Sequence, residues 1–295
     1  MLVPLYLETF YRKINGAIAD SGKEKFFGNM MKVTNSLSRV GLDVRKRVYK
    51  GPLAAFGGEL KLVVSGGAPL SSEILDTFEA FGIKVLNGYG ITECAPLLAA
   101  NRDKMQKKGS VGFPVPGTRI KIKNPDENGE GEICAKGPNV MLGYYNDSAA
   151  TADAFDEDGY FKTGDIGKFD EDGWLYITGR QKNLIILSNG KNVYPEEIEV
   201  ELSAVPGVID VVVYEGQSKR GLEHNAIVAE IYPDAEFFAK NEVENKQEYF
   251  RKFINDFNRT AVAYKKIGVL KVRETEFPKN TLRKIIRFKI DKTID

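Results

Sequence analysis

YFKTGDIGKFDEDGWLYITGRQKNLIILSNGKNVYPEEIEVE, residues 160–201, sets an acid, a base and a joint between two domains in one continuous stretch. Asp165 closes a Thr163-Gly164-Asp165 turn. Arg180 follows a predicted hairpin whose tip, Asp170-Glu171-Asp172-Gly173, has the residue types that turns require. The hairpin folds the acid back toward the base: with Phe169 opposite Trp174, Asp165 falls opposite Thr178, two residues from Arg180. A carboxylate so placed can accept from both hydroxyls of a ribose, with the guanidinium fork donating beside it. On these two residues alone a turn-capping aspartate and a surface arginine are the stronger reading, so the rest of the chain must decide.

Downstream, Leu184 to Leu187 read as an apolar strand and Asn189-Gly190 as a tight turn. Pro195 sits at a first helical position, with Glu196 and Glu197 in the first turn. Ile198, Leu202 and Val205 face inward until Pro206-Gly207 stops that helix. Strands near 208–214 and 226–232 precede a long helix with Phe250, Phe253, Ile254 and Phe257 on one face, and a strand at 269–272 leads to a basic segment at 278–287. Residues 182–295 thus form a small α+β domain. The four cations of the basic segment would ordinarily mark a solvated face.

Upstream, residues 101–181 alternate as antiparallel β-structure. Ile120 and Ile122 alternate with Arg119, Lys121 and Lys123, and Ile133 and Ala135 lie in the returning strand. A β-barrel-like subdomain is expected there. Before it, residues 1–100 read as an α/β layer. An apolar strand at 60–64 meets the turn Ser65-Gly66-Gly67-Ala68-Pro69. A helix entered through Ser71 or Ser72 follows, then a second strand at 83–86 and the run Asn87-Gly88-Tyr89-Gly90-Ile91-Thr92-Glu93. Strand, helix, strand implies parallel pairing, which brings both glycine-rich turns to one sheet edge, where open α/β sheets bind ligands. Tyr89 offers a flat face for a base, Thr92 a hydroxyl for phosphate, and Glu93 a hard oxygen ligand for magnesium. Tight turns alone explain each glycine cluster equally well. Residues 1–58 mix helical patterns with basic clusters and show no legible chemistry. A helix packed on a sheet is a commoner origin for that mixture than a membrane-surface helix.

The composition is that of an ordinary globular chain: 295 residues, 42% hydrophobic and 28% charged. With 42 basic against 41 acidic residues, no global field points to nucleic acid or to an anionic membrane, so membrane contact is at most peripheral. Cys94 and Cys134 are far apart without metal-ligand spacing, which predicts buried thiols in a reducing, cytoplasmic setting. The single histidine, His224, reads as a loop residue rather than a general base.

Taken in order, SGGAPL from Ser65, NGYGITE from Asn87, YFKTGD from Tyr160, GRQKNLIILSNGKNVYPEEIE from Gly179 and PKNTLRKIIR from Pro278 resemble the adenylate-forming, AMP-binding enzymes. Within them the chain is most similar to bacterial long-chain fatty acyl-CoA synthetases. The resemblance implies a partial large domain over 1–181, made of an α/β layer and the remnant of a β-barrel, and a small domain over 182–295. It implies ATP or AMP, magnesium and coenzyme A as ligands and a fatty acid as substrate. Gly66, Gly67, Ala68, Asn87, Gly88 and Tyr89 would line the nucleotide pocket, Thr92 would touch the phosphate, and Glu93 would hold magnesium. Asp165 and Arg180 would grip the ribose and Lys182 would be the hinge. Ser188, Asn189 and Gly190 would line the pantetheine path. Lys284 would bridge the attacking carboxylate and the α-phosphate.

Two departures accompany the match. Arg283 stands where many relatives have glycine before the lysine, and the family's Ser/Thr- and Gly-rich phosphate loop is absent from the 295 residues. The chain is therefore expected to be the later part of such an enzyme. Alone it would bind AMP weakly and release no pyrophosphate, and residues 1–58 would be mobile or self-associate. Two alternatives keep the same motifs: adenylation with a carrier-protein thiol as acceptor, and a non-catalytic nucleotide-binding module.

Overall fold

The structure, a computed structural model, describes residues 4–22, 24–54, 56–67, 70–221, 225–281 and 283–294. Ala68, Pro69 and His224 lie outside them. The chain divides into two compact units, Met1–Ile177 and Thr178–Asp295, and the division falls just ahead of the boundary expected after residue 181.

The first unit opens with helices α1 (Pro4–Asp20), α2 (Glu24–Arg39), α3 (Arg45–Val48) and α4 (Lys50–Ala54). They are not a loose appendage. Leu7, Tyr49 and Leu53 pack into one apolar core with Val63, Ile74, Phe78 and Ile83. Strand β1 (Leu62–Gly66), helix α5 (Ser72–Ala80) and strand β2 (Lys84–Gly90) follow, and β1 and β2 pair in parallel as expected. Ser71 caps α5 by accepting from the Ile74 amide at 3.4 Å, and Glu73 in the first turn complements the helix dipole. Phe78 is fully buried, and the Ile83 amide returns to the Phe78 carbonyl at 2.9 Å as Gly82 takes φ 85° and ends the helix.

Beyond β2 the structure departs from expectation in three ways. First, 87–90 is not a turn but the continuation of β2. Second, β3 (Leu97–Ala100) and β4 (Phe113–Pro114) join the same sheet in the order β1-β2-β3-β4, antiparallel after β2, so this layer runs past residue 100. Third, no barrel closes among the described residues. Strands β5 (Arg119–Lys123), β6 (Gly131–Lys136), β7 (Phe161–Phe169) and β8 (Leu175–Arg180) form an open four-stranded sheet, with α6 (Ser148–Ala154) between β6 and β7. The two sheets share a core of Tyr89, Cys94, Leu98, Ile133, Phe161 and Leu175. The hairpin tip lies one residue from its expected register, since the Asp170 amide donates to the Trp174 carbonyl at 3.0 Å. Cys94 and Cys134 are free and fully buried.

The second unit takes in the last residues of β8 and then the short hairpin β9 (Ile185–Ile186) and β10 (Asn192–Val193), followed by α7 (Pro195–Ser203). Strands β11 (Val208–Gly216) and β12 (Ala226–Pro233) pair antiparallel, and β13 (Val269–Val272) adds in parallel beside β12. Helices α8 (Ala235–Lys240) and α9 (Lys246–Thr260) separate β12 from β13. Asp234 caps α8, a helix not foreseen from the sequence. Ile198, Leu202, Phe250 and Ile254 cover one face of the sheet, while Phe277 and Ile290 pack with Tyr214 and Val228 on the other. Among the described residues no helix is long and apolar enough to cross a membrane.

Candidate functional site

In the first unit the site grows from the carboxyl ends of β1 and β2. Parallel register sets Ser65 beside Asn87 and Gly66 beside Gly88, so the two glycine-bearing segments are neighbours. Gly67 takes φ 91° with open space where a side chain would be, so its glycine is required by backbone conformation rather than crowding. Gly90 is crowded instead: a Cβ there would lie 2.0 Å from the Pro96 carbonyl oxygen, which accepts the Ile91 amide at 2.8 Å. That bond closes the loop around the short 3-10 turn Thr92–Cys94, where Ala95 at φ 55° reverses the chain into β3. Thr92 is exposed and Glu93 half-exposed at this turn.

Asp165, on β7, is only 4% exposed, and the Tyr89 hydroxyl donates to its Oδ2 at 2.8 Å. Residues 76 positions apart in the chain are thus in direct contact, and both belong to the expected nucleotide pocket. Thr163 organises the acid from below, accepting the Asp165 amide at 3.1 Å and donating to the Ile133 carbonyl at 2.7 Å. Burial, then the neighbouring Asp165 charge, holds the Tyr89 phenol well above its usual range, so it stays a donor at neutral pH. Glu93 is fixed through its backbone, its carbonyl accepting the Met141 amide at 2.8 Å, and the Tyr144 hydroxyl stands 3.4 Å from Oε1. Tyr144 is a supporting side chain that motif reading passed over, and Thr163, named there only as part of a turn, lies instead within strand β7. No local signal ties Tyr144 to a carboxylate 51 residues earlier.

Glu93 suits magnesium in one particular way. Among the described residues no group of three acidic, histidine or cysteine side chains could cage a metal ion. A single accessible carboxylate fits a magnesium ion that arrives with phosphates and keeps its waters, not a resident metal.

The remaining expected residues belong to the second unit, each at an exposed turn or strand end. Arg180 ends β8, and Lys182 sits in the 3-10 turn Gln181–Asn183. That turn is tied to α7 by Asn183, whose side-chain amide donates to Glu196 Oε1 at 2.5 Å. Ser188, Asn189 and Gly190 form the exposed β9–β10 turn, in which Gly190 takes φ 77° and its amide donates to the Leu187 carbonyl at 2.8 Å. Lys284 is exposed on a tight loop, its amide donating to Asn280 Oδ1 at 2.9 Å. Arg283 before it takes φ 59°, the left-handed conformation that explains glycine at this place in the motif.

Paired glycine-bearing strand ends and a buried aspartate held by a tyrosine therefore lie together in the first unit, on an α/β layer. Residues 7–145 match the model of the AMP-binding enzyme family. Over 224 residues it is 36% identical to the long-chain-fatty-acid–CoA ligase FadD15 of Mycobacterium bovis, covering 72% of this chain and 36% of the relative. Over 164 residues it is 46% identical to the probable 4-coumarate–CoA ligase 2 of Dictyostelium discoideum, covering 52% of this chain and 29% of the relative. Among solved structures it is similar to O-succinylbenzoate coenzyme A synthetase of Bacillus subtilis in complex with ATP and magnesium ion. The TM-score is 0.65 at 28% identity, covering 81% of this chain and 49% of that one. The chain thus spans well under half the length of the curated relatives it matches.

Proposed function

We propose that this chain serves an acid–CoA ligase that activates a long-chain fatty acid through an acyl-adenylate. The observation that carries the reading is the buried Tyr89–Asp165 hydrogen bond beside the paired ends of β1 and β2. It supports a ribose grip next to a stacking surface for adenine. In the first step a carboxylate oxygen of the acid attacks the α-phosphorus of ATP and pyrophosphate leaves. In the second the sulfur of CoA attacks the acyl carbon and AMP leaves. Both partners of the first step are anions, so catalysis is charge management. Lys284 is the cation for the growing charge at phosphorus, Thr92 donates to the same phosphate, and Glu93 would hold magnesium, which would neutralise phosphate charge when bound. Gly66 and Gly67, with Asn87 and Gly88, let backbone approach the nucleotide, Asp165 accepts from the ribose hydroxyls, and Arg180 donates to the ribose.

Lys182, at the start of the second unit, is the hinge about which that unit turns between steps. Turning replaces Lys284 by the Ser188-Asn189-Gly190 turn for passage of the pantetheine arm. The similarity to fatty-acid ligases supports an alkyl acid. The similarity to a 4-coumarate ligase makes a hydroxycinnamate the competing substrate class. ATP–pyrophosphate exchange by the full-length protein with magnesium, stimulated by palmitate above 4-coumarate and followed by AMP release on adding CoA, is the expected result. Exchange with neither acid refutes the activity. Release with a carrier-protein thiol but not CoA refutes the acceptor.

A further inference from the structure

The basic segment 278–287 carries Lys279, Arg283, Lys284 and Arg287, and their surroundings sort them into two pairs. The segment is a small hairpin of the second unit. Lys279 bridges Ile285, the Asn280 amide donates to the Lys284 carbonyl at 2.9 Å, and the Ile286 amide donates to the Pro278 carbonyl at 2.8 Å. Arg283 and Lys284 stand exposed at its turn, while Lys279 and Arg287 sit at its two feet.

The feet are anchored inward. Lys279 Nζ lies 2.7 Å from Asp210 Oδ2 on β11 and 2.6 Å from Glu276 Oε1, with only 15% of its side chain exposed. Arg287 donates to Glu199 Oε2 on α7 at 2.5 Å and to the Val213 carbonyl on β11 at 3.2 Å. The other oxygen of Glu199 accepts the Val213 amide at 2.6 Å, which locks the ion pair onto the strand backbone. Phe277 and Ile290, 2% and 8% exposed, seat the same two ends in apolar core. A two-stranded hairpin by itself is marginal in water, so the direction in which its turn points depends on these anchors. Each inward cation meets a carboxylate on the body of the unit, and the cations displayed outward are Arg283 and Lys284.

We propose that Arg287 with Glu199, and Lys279 with Asp210, are positioning residues that aim the Lys284 hairpin for the adenylation step. The inference rests on the reading of Lys284 given under Proposed function. The anchors touch no substrate; they act through Lys284. A misplacement of about 1 Å at such a group is enough to cost on the order of a hundredfold in rate.

The test compares Arg287→Met, Glu199→Gln and Lys284→Ala in the full-length protein in two half-reactions. The first is ATP–pyrophosphate exchange with palmitate and magnesium; the second is AMP release from supplied palmitoyl-adenylate by CoA. Arg287→Met and Glu199→Gln should lower the first on the order of a hundredfold and leave the second nearly unchanged, the pattern expected of Lys284→Ala. Arg287→Lys should recover part of the loss. Lys279→Met should reproduce the split from the other foot. Equal losses in both half-reactions would show that the anchors merely hold the fold and would overturn the proposal. Normal exchange in the anchor variants with Lys284→Ala inactive overturns the proposal and leaves the role of Lys284 standing. Full exchange in Lys284→Ala overturns the reading of Lys284 and the anchors with it. Should Arg287→Met fail to fold, Glu199→Gln, which keeps shape and the Val213 contact, decides by the same criteria.

Discussion

Replacing Tyr89 by phenylalanine separates the two roles assigned to that residue. The ring, which would stack on adenine, is retained, and only the hydroxyl that donates to Asp165 at 2.8 Å is lost. Both partners are nearly buried, Tyr89 at 7% and Asp165 at 4% exposure, so water cannot readily replace the lost donor. A hydrogen bond to a charged group contributes about 1.5–3 kcal/mol. If roughly half of that appears as looser aim of the carboxylate toward the ribose, AMP affinity should fall about fourfold to twelvefold. Titration calorimetry with AMP and with 2′,3′-dideoxy-AMP makes the test specific. The variant should lose affinity for AMP while its affinity for the dideoxynucleotide, which offers no ribose hydroxyls, stays near that of the parent. Equal losses for both ligands would mean that the hydroxyl supports the fold or the base contact. No loss for either would mean that Asp165 needs no help from Tyr89, and the site drawn around their contact would be wrong.

Three further outcomes follow from the second unit. Arg283→Gly should raise stability by about 0.5–1 kcal/mol, because the left-handed cost to a side chain at φ 59° exceeds the extra chain entropy of glycine. An unchanged or lower urea midpoint would refute that balance. Lys182→Pro should leave pyrophosphate exchange intact and slow CoA-dependent AMP release, since a fixed φ hinders rotation at the joint, and normal rates in both would move the hinge elsewhere. Burial pushes the Glu199 carboxyl up to about 7 against the opposing pull of Arg287 and the Val213 amide, with Glu196 adding repulsion. The folded state therefore holds a proton that the unfolded chain releases near 4.5, so this group's contribution is full below that value and is lost as pH rises through about 7. Urea unfolding of Glu199→Gln should show a flatter fall in stability between pH 5 and 8 than the parent, and parallel profiles would refute the assignment.

The parts of the fold that were legible are those whose causes are local. Ser71 and Glu73 announce the start of α5, Pro195 with Glu196 and Glu197 announces α7, and the parallel β1–β2 pairing follows from the helix between them. Residues 87–90 were misread as a turn because glycine and asparagine are turn formers by type. In the structure Gly88 and Gly90 are strand residues whose missing side chains admit Leu97 and the Pro96 carbonyl. The barrel expectation failed for a related reason. Alternating short strands reveal their pleat but not their partners, and the pairings of Ala99 with Tyr89 and with Pro114, which assign β3 and β4 to the first sheet, are invisible to any local pattern.

The candidate site divides along the same line. Its motif residues are recognisable because their chemistry is fixed by residue type at short spacing, as in Thr163-Gly164-Asp165. The groups that hold those residues come from afar: Glu199 meets Arg287 across 88 positions. On α7, Glu199 is one glutamate among Glu196, Glu197 and Glu201, and only its place three residues before the buried Leu202 sets it at the inner edge of the helix. Arg283 joins the two kinds of information. As a letter in a motif it is a departure from the glycine of many relatives, with Lys284 still six residues after Pro278. As a residue at φ 59° between the Asn280 contact and Lys284, it keeps the turn geometry that glycine would supply, so the hairpin retains its form at the cost of local strain. What must be retained there is therefore a backbone conformation, and the anchors at Lys279 and Arg287 give that conformation a fixed direction.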